Sequence, residues 1–267
     1  MRIQIASDLH LEHRPTETFE TLLEPSAPIL ALLGDIAPLS HPNLKPFLEW
    51  CSERWETILW LPGHTELFFE TGNSDPLMSL NSSLRRMKLI TRPFSNLHLL
   101  HRDAMTSSDG IFVLGLTFWK FPRDGTELWS PALGRYVKAE ASPLPDEAAK
   151  QMFHEELDWV RGMLKTQKHP VVVLSHIAPV TFMQEEWLGD PETSVRFIDI
   201  ELVLREPLVA WLCGHVHDTA EFSKMWNDAG GKSGSVLVAA NGLGLPKQNP
   251  EYRRDYVVRV DPNLASK

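Results

Sequence analysis

Five times in this chain a short apolar run of strand length stops abruptly in a cluster of polar side chains able to ligate a metal. Ile3 to Ala6 runs into Ser7, Asp8 and His10; Ile29 to Leu33 into Gly34 and Asp35; Ile58 to Leu61 into Gly63, His64 and Glu66; Val171 to Leu174 into Ser175 and His176; Val209 to Cys213 into Gly214, His215 and His217. Runs so short and so nearly continuous in apolar residues predict strands buried on both faces, as in a sheet covered by helices. Between them, Leu44 to Trp55 and Ala148 to Leu164 carry helical spacing; in the latter Phe153, Leu157, Val160 and Leu164 recur at three and four residues. Strand and helix therefore alternate through the first two-thirds, which predicts βαβ units with their strand C-termini gathered on one edge. Val236 to Ala240 and Tyr256 to Val260 read as later strands of a second sheet. Lys120 to Pro145, with four prolines, two glycines and no periodicity, reads as a surface excursion near the site.

The 267 residues are 43% hydrophobic and 23% charged, which excludes disorder, collagen and coiled coil. They are read as a single domain spanning 1–267, large enough for a substantial core. With 26 Lys and Arg against 35 Asp and Glu the net charge is −9, which weighs against a broad nucleic-acid face and long nucleic-acid partners. A confined site can still take a phosphate if metal ions supply the positive charge. The two cysteines, Cys51 and Cys213, exclude a disulfide framework and a Cys-rich zinc site and point to a reducing, cytoplasmic compartment. The N-terminal run lacks the apolar core of a signal peptide, and no stretch approaches roughly 20 apolar residues, so no membrane partner is expected. Oligomeric state is not readable from the sequence.

Taken singly, Asp8-Leu9-His10 and Gly34-Asp35 are weak signals. His215-Val216-His217 is stronger, because two rings at this spacing can address one centre or two neighbouring ones, and the preceding Gly214 permits close backbone approach. The joint pattern is stronger again, since a shared sheet edge would bring all five clusters within reach of one another. The pooled ligands are nitrogen and carboxylate oxygen without thiolate, a set that suits Mn, Fe, Zn or Co. Two aspartates and several histidines exceed what one tetrahedral zinc needs, so a dinuclear site is expected.

The order Asp8-x-His10, Gly34-Asp35, Gly63-His64-Thr65-Glu66, His176 and Gly214-His215-Val216-His217 resembles the calcineurin-like metallophosphoesterase superfamily, whose pattern is D-x-H, G-D, G-N-H-[DE], H and G-H-x-H. The resemblance runs from residue 1 to about 260 and is close in Ser7-Asp8-Leu9-His10-Leu11-Glu12; Asn241 with Asn249-Pro250 is similar to a group of small bacterial-type members. It implies an α/β fold, a four-layer αββα sandwich of two mixed β-sheets with a dinuclear metal site at the strand C-terminal edge. By the same resemblance Asp8, His10 and His217 hold one metal, His176 and His215 the other, and Asp35 bridges both. Manganese or iron is favoured. The implied activity is hydrolysis of a small phosphomonoester or phosphodiester, with a metal-bridging hydroxide as nucleophile.

The chain departs from the pattern at Gly63-His64-Thr65-Glu66, where Gly-Asn-His-Glu is expected. The family's asparagine ligates the second metal, and His64 can replace it through a ring nitrogen. Thr65 stands where the family has a histidine that bonds the phosphoryl group or protonates the leaving oxygen; a threonine hydroxyl donates a hydrogen bond but is too weak an acid for the proton. Glu66 is placed with His64 and Thr65 in the catalytic motif. Three outcomes stay open: His64 ligates the second metal and catalysis rests on metals, His64 moves into the place of the missing acid, or the protein binds metal weakly. The alternative function is accordingly a metal-binding or scaffolding protein of the same fold with reduced or lost catalysis. His13 reads as a rim or solvated histidine. Trp50, Trp55, Trp60, Trp159 and Trp211 read as core, whereas Phe118, Trp119, Lys120 and Arg123 either grip a leaving group or pack beneath the excursion. Gly230 to Gly234 reads as a hairpin connection rather than a phosphate loop.

Overall fold

The computed structural model describes residues 1–68, 76–118, 127–130, 135–138, 146–179, 203–228 and 230–261. Its strands in chain order are β1 (Arg2–Ala6), β2 (Ile29–Leu32), β3 (Thr57–Trp60), β4 (Leu97–Leu99), β5 (Asp103–Thr106), β6 (Phe112–Leu116), β7 (Glu127–Ser130), β8 (Arg135–Lys138), β9 (Val171–Ser175), β10 (Leu208–Cys213), β11 (Thr219–Asn227), β12 (Ser233–Asn241) and β13 (Val257–Arg259). The helices are α1 (Phe19–Leu22), α2 (Leu44–Ser52), α3 (His64–Phe68), α4 (Pro76–Thr91) and α5 (Asp146–Thr166). One sheet has the order β13-β1-β2-β3-β4 and the other β11-β12-β10-β9-β6-β5. Each is parallel at its centre and antiparallel at an edge, through β13 in the first and through β11 and β5 in the second.

Alternate residues of the apolar runs face two different cores. Ile3, Ile5, Ala31, Leu33, Leu59 and Leu61 of the first sheet pack with Val113, Val172, Leu174, Ala210, Leu212 and Ala239 of the second. The intervening Leu30, Leu32, Ile58, Trp60, Leu114, Val173 and Trp211 belong to another cluster, with Phe47, Leu48 and Cys51 of α2 and Phe153, Leu157 and Val160 of α5. Polar alternation is therefore absent because both faces of each sheet are covered. The layers are helix, sheet, sheet and helix, as the family resemblance implies. Each fully buried aliphatic side chain contributes about 1.5–3 kcal/mol.

All five expected site-bearing strands form, as β1, β2, β3, β9 and β10. The first expected helix ends at Ser52 rather than Trp55, and the second reaches from Asp146 to Thr166. Val236 to Ala240 lies in the second sheet, but Tyr256 to Val260 does not. That segment supplies β13, antiparallel to β1 in the first sheet, where Tyr256, Val258 and Val260 join Ile3 and Ile5 between the sheets. An apolar triplet fits either edge, so the choice is made by the long-range return of the chain. The hairpin reading of Gly230 to Gly234 holds: it links β11 to β12, paired from Thr219↔Asn241 to Asn227↔Ser233. Within Lys120 to Pro145 the antiparallel pair β7 and β8 forms; Lys120 and Arg123, like Trp119, lie outside the described residues. No expected element corresponds to α4, whose apolar stripe of Leu80, Leu84 and Met87 is narrow and set among polar residues. Among the described residues no helix is long and apolar enough to cross a membrane.

Candidate metal centre

The parallel registers bring the strand ends level: Ala6 pairs with Leu32, Leu32 with Trp60, and Ser175 with Cys213. The residues just beyond these positions therefore meet at one edge of the two sheets. Their candidate ligand atoms fall into two groups, Asp8, His10 and His217 in one and Asp35, His64, His176 and His215 in the other, with the atoms of each group within 4.8 Å of one another. All seven expected ligands are thus brought together. His64 lies with the second group, its ring centroid 4.9 Å from His215 and 5.2 Å from His176. In the first group His10 and His217 have ring centroids 5.3 Å apart.

The backbone is bent to achieve this. Asp8, His10, Asp35, His215 and His217 have φ of 55°, 44°, 55°, 67° and 49°, five of the eight non-glycine residues with positive φ among those described. The left-handed region costs a non-glycine residue on the order of 1–3 kcal/mol and persists only where surrounding contacts enforce it. Here it turns the chain sharply just beyond the strand ends, where the candidate ligands stand. Gly34, with φ 88°, and Gly63 complete the turns: a Cβ on Gly63 would stand 2.3 Å from Asp35 Oδ1, and one on Gly34 2.6 Å from His176 Nδ1. Side chains at these two positions would occupy the space of the candidate ligands.

Hydrogen bonds then fix the rings. The Nδ1 of His176 donates to the Leu33 carbonyl (2.8 Å), that of His10 to Glu12 Oε1 (2.8 Å), and that of His217 to Gln248 Oε1 (2.7 Å). Each bond leaves an Nε2 lone pair for the shared centre, the tautomer a metal ligand requires. The Asp8 Oδ2 accepts from the His215 backbone N–H (2.9 Å) and Asp35 Oδ1 from the Thr65 N–H (2.8 Å). By contrast, among the described residues the buried His10 Nε2 has no hydrogen-bond partner, and the buried Asp8 Oδ1 and His176 Nε2 meet only fellow candidate ligands, at 3.3 and 3.4 Å. Leaving a buried polar atom unsatisfied costs about 1–3 kcal/mol, so polar atoms that converge with no partner beyond one another fit a cation between them. Nitrogen and carboxylate oxygen are the donors that Mn, Fe, Zn or Co accept.

The electrostatics agree. Burial pushes the Asp8 carboxyl up, but His217 outweighs it and brings the pKa down to about 2. Burial pushes His176 down, but Asp35 raises it to about 9, while Asp35 itself is held well below the usual carboxylate range despite burial. His176 Nε2 lies 3.4 Å from Asp35 Oδ2 and His217 Nε2 lies 3.3 Å from Asp8 Oδ1, so each imidazole faces a carboxylate across the space a cation would take. His215 is pushed well below its ordinary value by burial and by the neighbouring His64 and His176, so it offers a neutral ring.

Glu66 and Thr65 have different surroundings from these ligands. The Glu66 carboxylate is buried and accepts from three backbone donors, Asp35 N–H (3.0 Å), Ile36 N–H (2.7 Å) and Gly63 N–H (2.8 Å). It ties two loops together and positions Asp35. Thr65 is buried and reaches Asp35 through its backbone N–H. His13 is half-exposed, its ring 6.0 Å from that of His10. Phe118 is fully buried against Phe153 (5.6 Å) and Trp211 (5.2 Å), which makes it core. Asn241 and Asn249 brace the closing loop: Asn241 Nδ2 donates to the Ile5 and Arg253 carbonyls, and Asn249 Nδ2 to that of Gly242. Gln248 is invisible to motif reading because its partner lies 31 residues away and glutamine carries no signature.

No family model matches the chain. In sequence it is similar to the uncharacterized protein L509 of Acanthamoeba polyphaga mimivirus, 24% identical over 252 residues that cover 88% of this chain and 85% of the relative. In structure it is similar to the phosphopantetheinyl hydrolase PptH from Mycobacterium tuberculosis, with a TM-score of 0.65 at 20% identity over 99% of this chain and 98% of that one. The protein TT1561 of Thermus thermophilus aligns with a TM-score of 0.50 at 14% identity over 90% of this chain and 88% of that one. At these identities the two solved structures show a shared fold, the α/β arrangement of two mixed sheets flanked by helices described above.

Proposed function

We propose that the protein is a metal-dependent phosphoester hydrolase acting on a small phosphorylated substrate. The observation that carries this reading is the convergence of seven buried or half-buried ligand side chains into two groups, in which, among the described residues, His10 Nε2 has no hydrogen-bond partner and Asp8 Oδ1 and His176 Nε2 meet only fellow ligands. Asp8, His10 and His217 would hold one cation, and His64, His176 and His215 the other, with Asp35 between them. When bound, the pair supplies Lewis acidity toward the phosphoryl oxygens and lowers the pKa of water at the site.

The chain's own residues set the geometry for that chemistry. Glu66 and the Thr65 N–H hold Asp35 in place, while Leu33, Glu12 and Gln248 keep three imidazoles with Nε2 presented to the centre. His64 acts as a ligand of the second cation, since its ring forms a near-equilateral triangle with those of His176 and His215, with centroids 4.9 to 5.2 Å apart. Among the described residues no protein acid is then assigned to the place of the family's histidine. Esters with acidic leaving groups are the preferred substrates, because general acid help is worth about 10²–10⁴-fold and a good leaving group needs least of it.

The buried Thr65 favours a second reading, a metal-binding protein of this fold with reduced or lost turnover. Elemental analysis of the purified protein, followed by assay of aryl phosphomonoesters, phosphodiesters and a phosphopantetheinyl ester with added Mn²⁺, separates the two. Two bound ions with turnover support the hydrolase, ions without turnover on any ester support the second reading, and a folded protein that takes up no ion contradicts both.

A further inference from the structure

Glu12 belongs to neither ligand group, yet it touches one. It lies in the single turn Leu11–His13 that follows His10, and the left-handed backbone of His10 folds the turn back so that Glu12 meets its ring. Oε1 accepts from His10 Nδ1 at 2.8 Å, and Oε2 is buried with no hydrogen-bond partner among the described residues. His176 and His217 donate instead to neutral oxygens, the Leu33 carbonyl and the Gln248 amide. A carboxylate behind an imidazole makes the far nitrogen a stronger donor than a carbonyl does, and it adds negative charge to the centre. Among the described residues the first group thus has two carboxylates, Asp8 directly and Glu12 through the His10 ring, whereas the second has Asp35 among three imidazoles, with Glu66 bonded to the main-chain N–H of Asp35 rather than to a ligand ring.

We infer that Glu12 is a positioning residue that makes the two cation sites unequal, with the Asp8, His10 and His217 site the tighter. This rests on the proposed function, since it presumes that the two groups hold cations. The half-buried oxygen pair is explained on the same terms: a carboxylate that leaves Oε2 unpartnered is tolerated beside a site whose occupant is positive.

The test is calorimetric titration of Mn²⁺ into the metal-free full-length protein, resolved into two binding events, for the wild type, Glu12→Gln and Glu12→Ala. Glu12→Gln keeps an acceptor for His10 without the charge, and Glu12→Ala removes both. The tighter event should weaken by about 10–100-fold in Glu12→Ala and by a smaller factor in Glu12→Gln, while the other event stays within about threefold. Thermal unfolding of the metal-free variants shows that the loss is not one of folding, and the near-isosteric Glu12→Gln keeps the test valid if Glu12→Ala unfolds. Two wild-type-like events in Glu12→Gln and Glu12→Ala, or equal weakening of both events, would overturn the inference and leave the proposed function standing. A wild-type protein that binds no Mn²⁺ would overturn both.

Discussion

The two ligand groups solve one problem by different means. In the second group, orientation comes from main-chain atoms: the Leu33 carbonyl holds His176, and the Thr65 N–H holds Asp35, which is also braced by the Glu66 clamp on two loops. Its His176 has no exposed side-chain surface. In the first group Asp8 accepts from the His215 main-chain N–H, but the two imidazoles are oriented by the side chains of Glu12 and Gln248, and His217 is one-fifth exposed. The second group is therefore built into the fold, and substitutions that reach it disturb the loops as well. The first can be adjusted by single side-chain changes without altering the sheets.

The largest effect is expected where the two groups meet. Asp35→Asn should lower ester hydrolysis by about 10³-fold or more and reduce Mn²⁺ stoichiometry, because it removes the carboxylate of the second group and the charge that balances His176. Steady-state kinetics with elemental analysis checks this, and activity within about tenfold of wild type would break the assignment. Next is Gly63→Ala, whose Cβ would stand 2.3 Å from Asp35 Oδ1. It should destabilise the fold by about 1–3 kcal/mol and weaken the second cation more than the first, as urea unfolding and metal titration can show.

A smaller effect is expected from pH. In the metal-free protein the His176 pKa is raised from 6.5 to about 9. Its stabilising contribution is full below about pH 6.5 and is lost as the pH rises through about 9. The thermal midpoint of chelator-treated protein should therefore fall across that window, while Mn²⁺-loaded protein, in which the proton has been displaced, should not follow it. Parallel curves would contradict the ion pair with Asp35. The smallest effect is expected from Gln248→Ala, which removes a neutral acceptor from an exposed part of the first group; a loss of about 3–10-fold in one Mn²⁺ event is the expected result.

The residues that are legible in the sequence share a physical reason. Runs such as Val171 to Leu174 are apolar at every position because both faces of the strand are covered, and His176 or Asp35 follows them because parallel strands end on a common edge. What stays hidden depends on contacts that no local pattern carries. The left-handed backbone at Asp8, His10, Asp35, His215 and His217 is uncommon even for Asp and His, which adopt it more readily than most side chains, and is enforced by the assembled loops. The partner of His176 is a carbonyl 143 residues away. The sheet that β13 joins is decided by the return of the chain, since Val257 to Arg259 suits one edge as well as another. Glu66 illustrates the remaining gap: its place in the motif suggests chemistry, and its three backbone donors give it a structural task.

Anomalous diffraction from crystals grown with Mn²⁺, with data collected at the manganese edge, tests the central claim most directly. The account predicts two peaks, one among Asp8, His10 and His217 and one among Asp35, His64, His176 and His215, with a His64 ring nitrogen about 2.0–2.3 Å from the second. A single peak, or a second ion with His64 turned away from it, would contradict the assignment of these seven side chains to a paired centre.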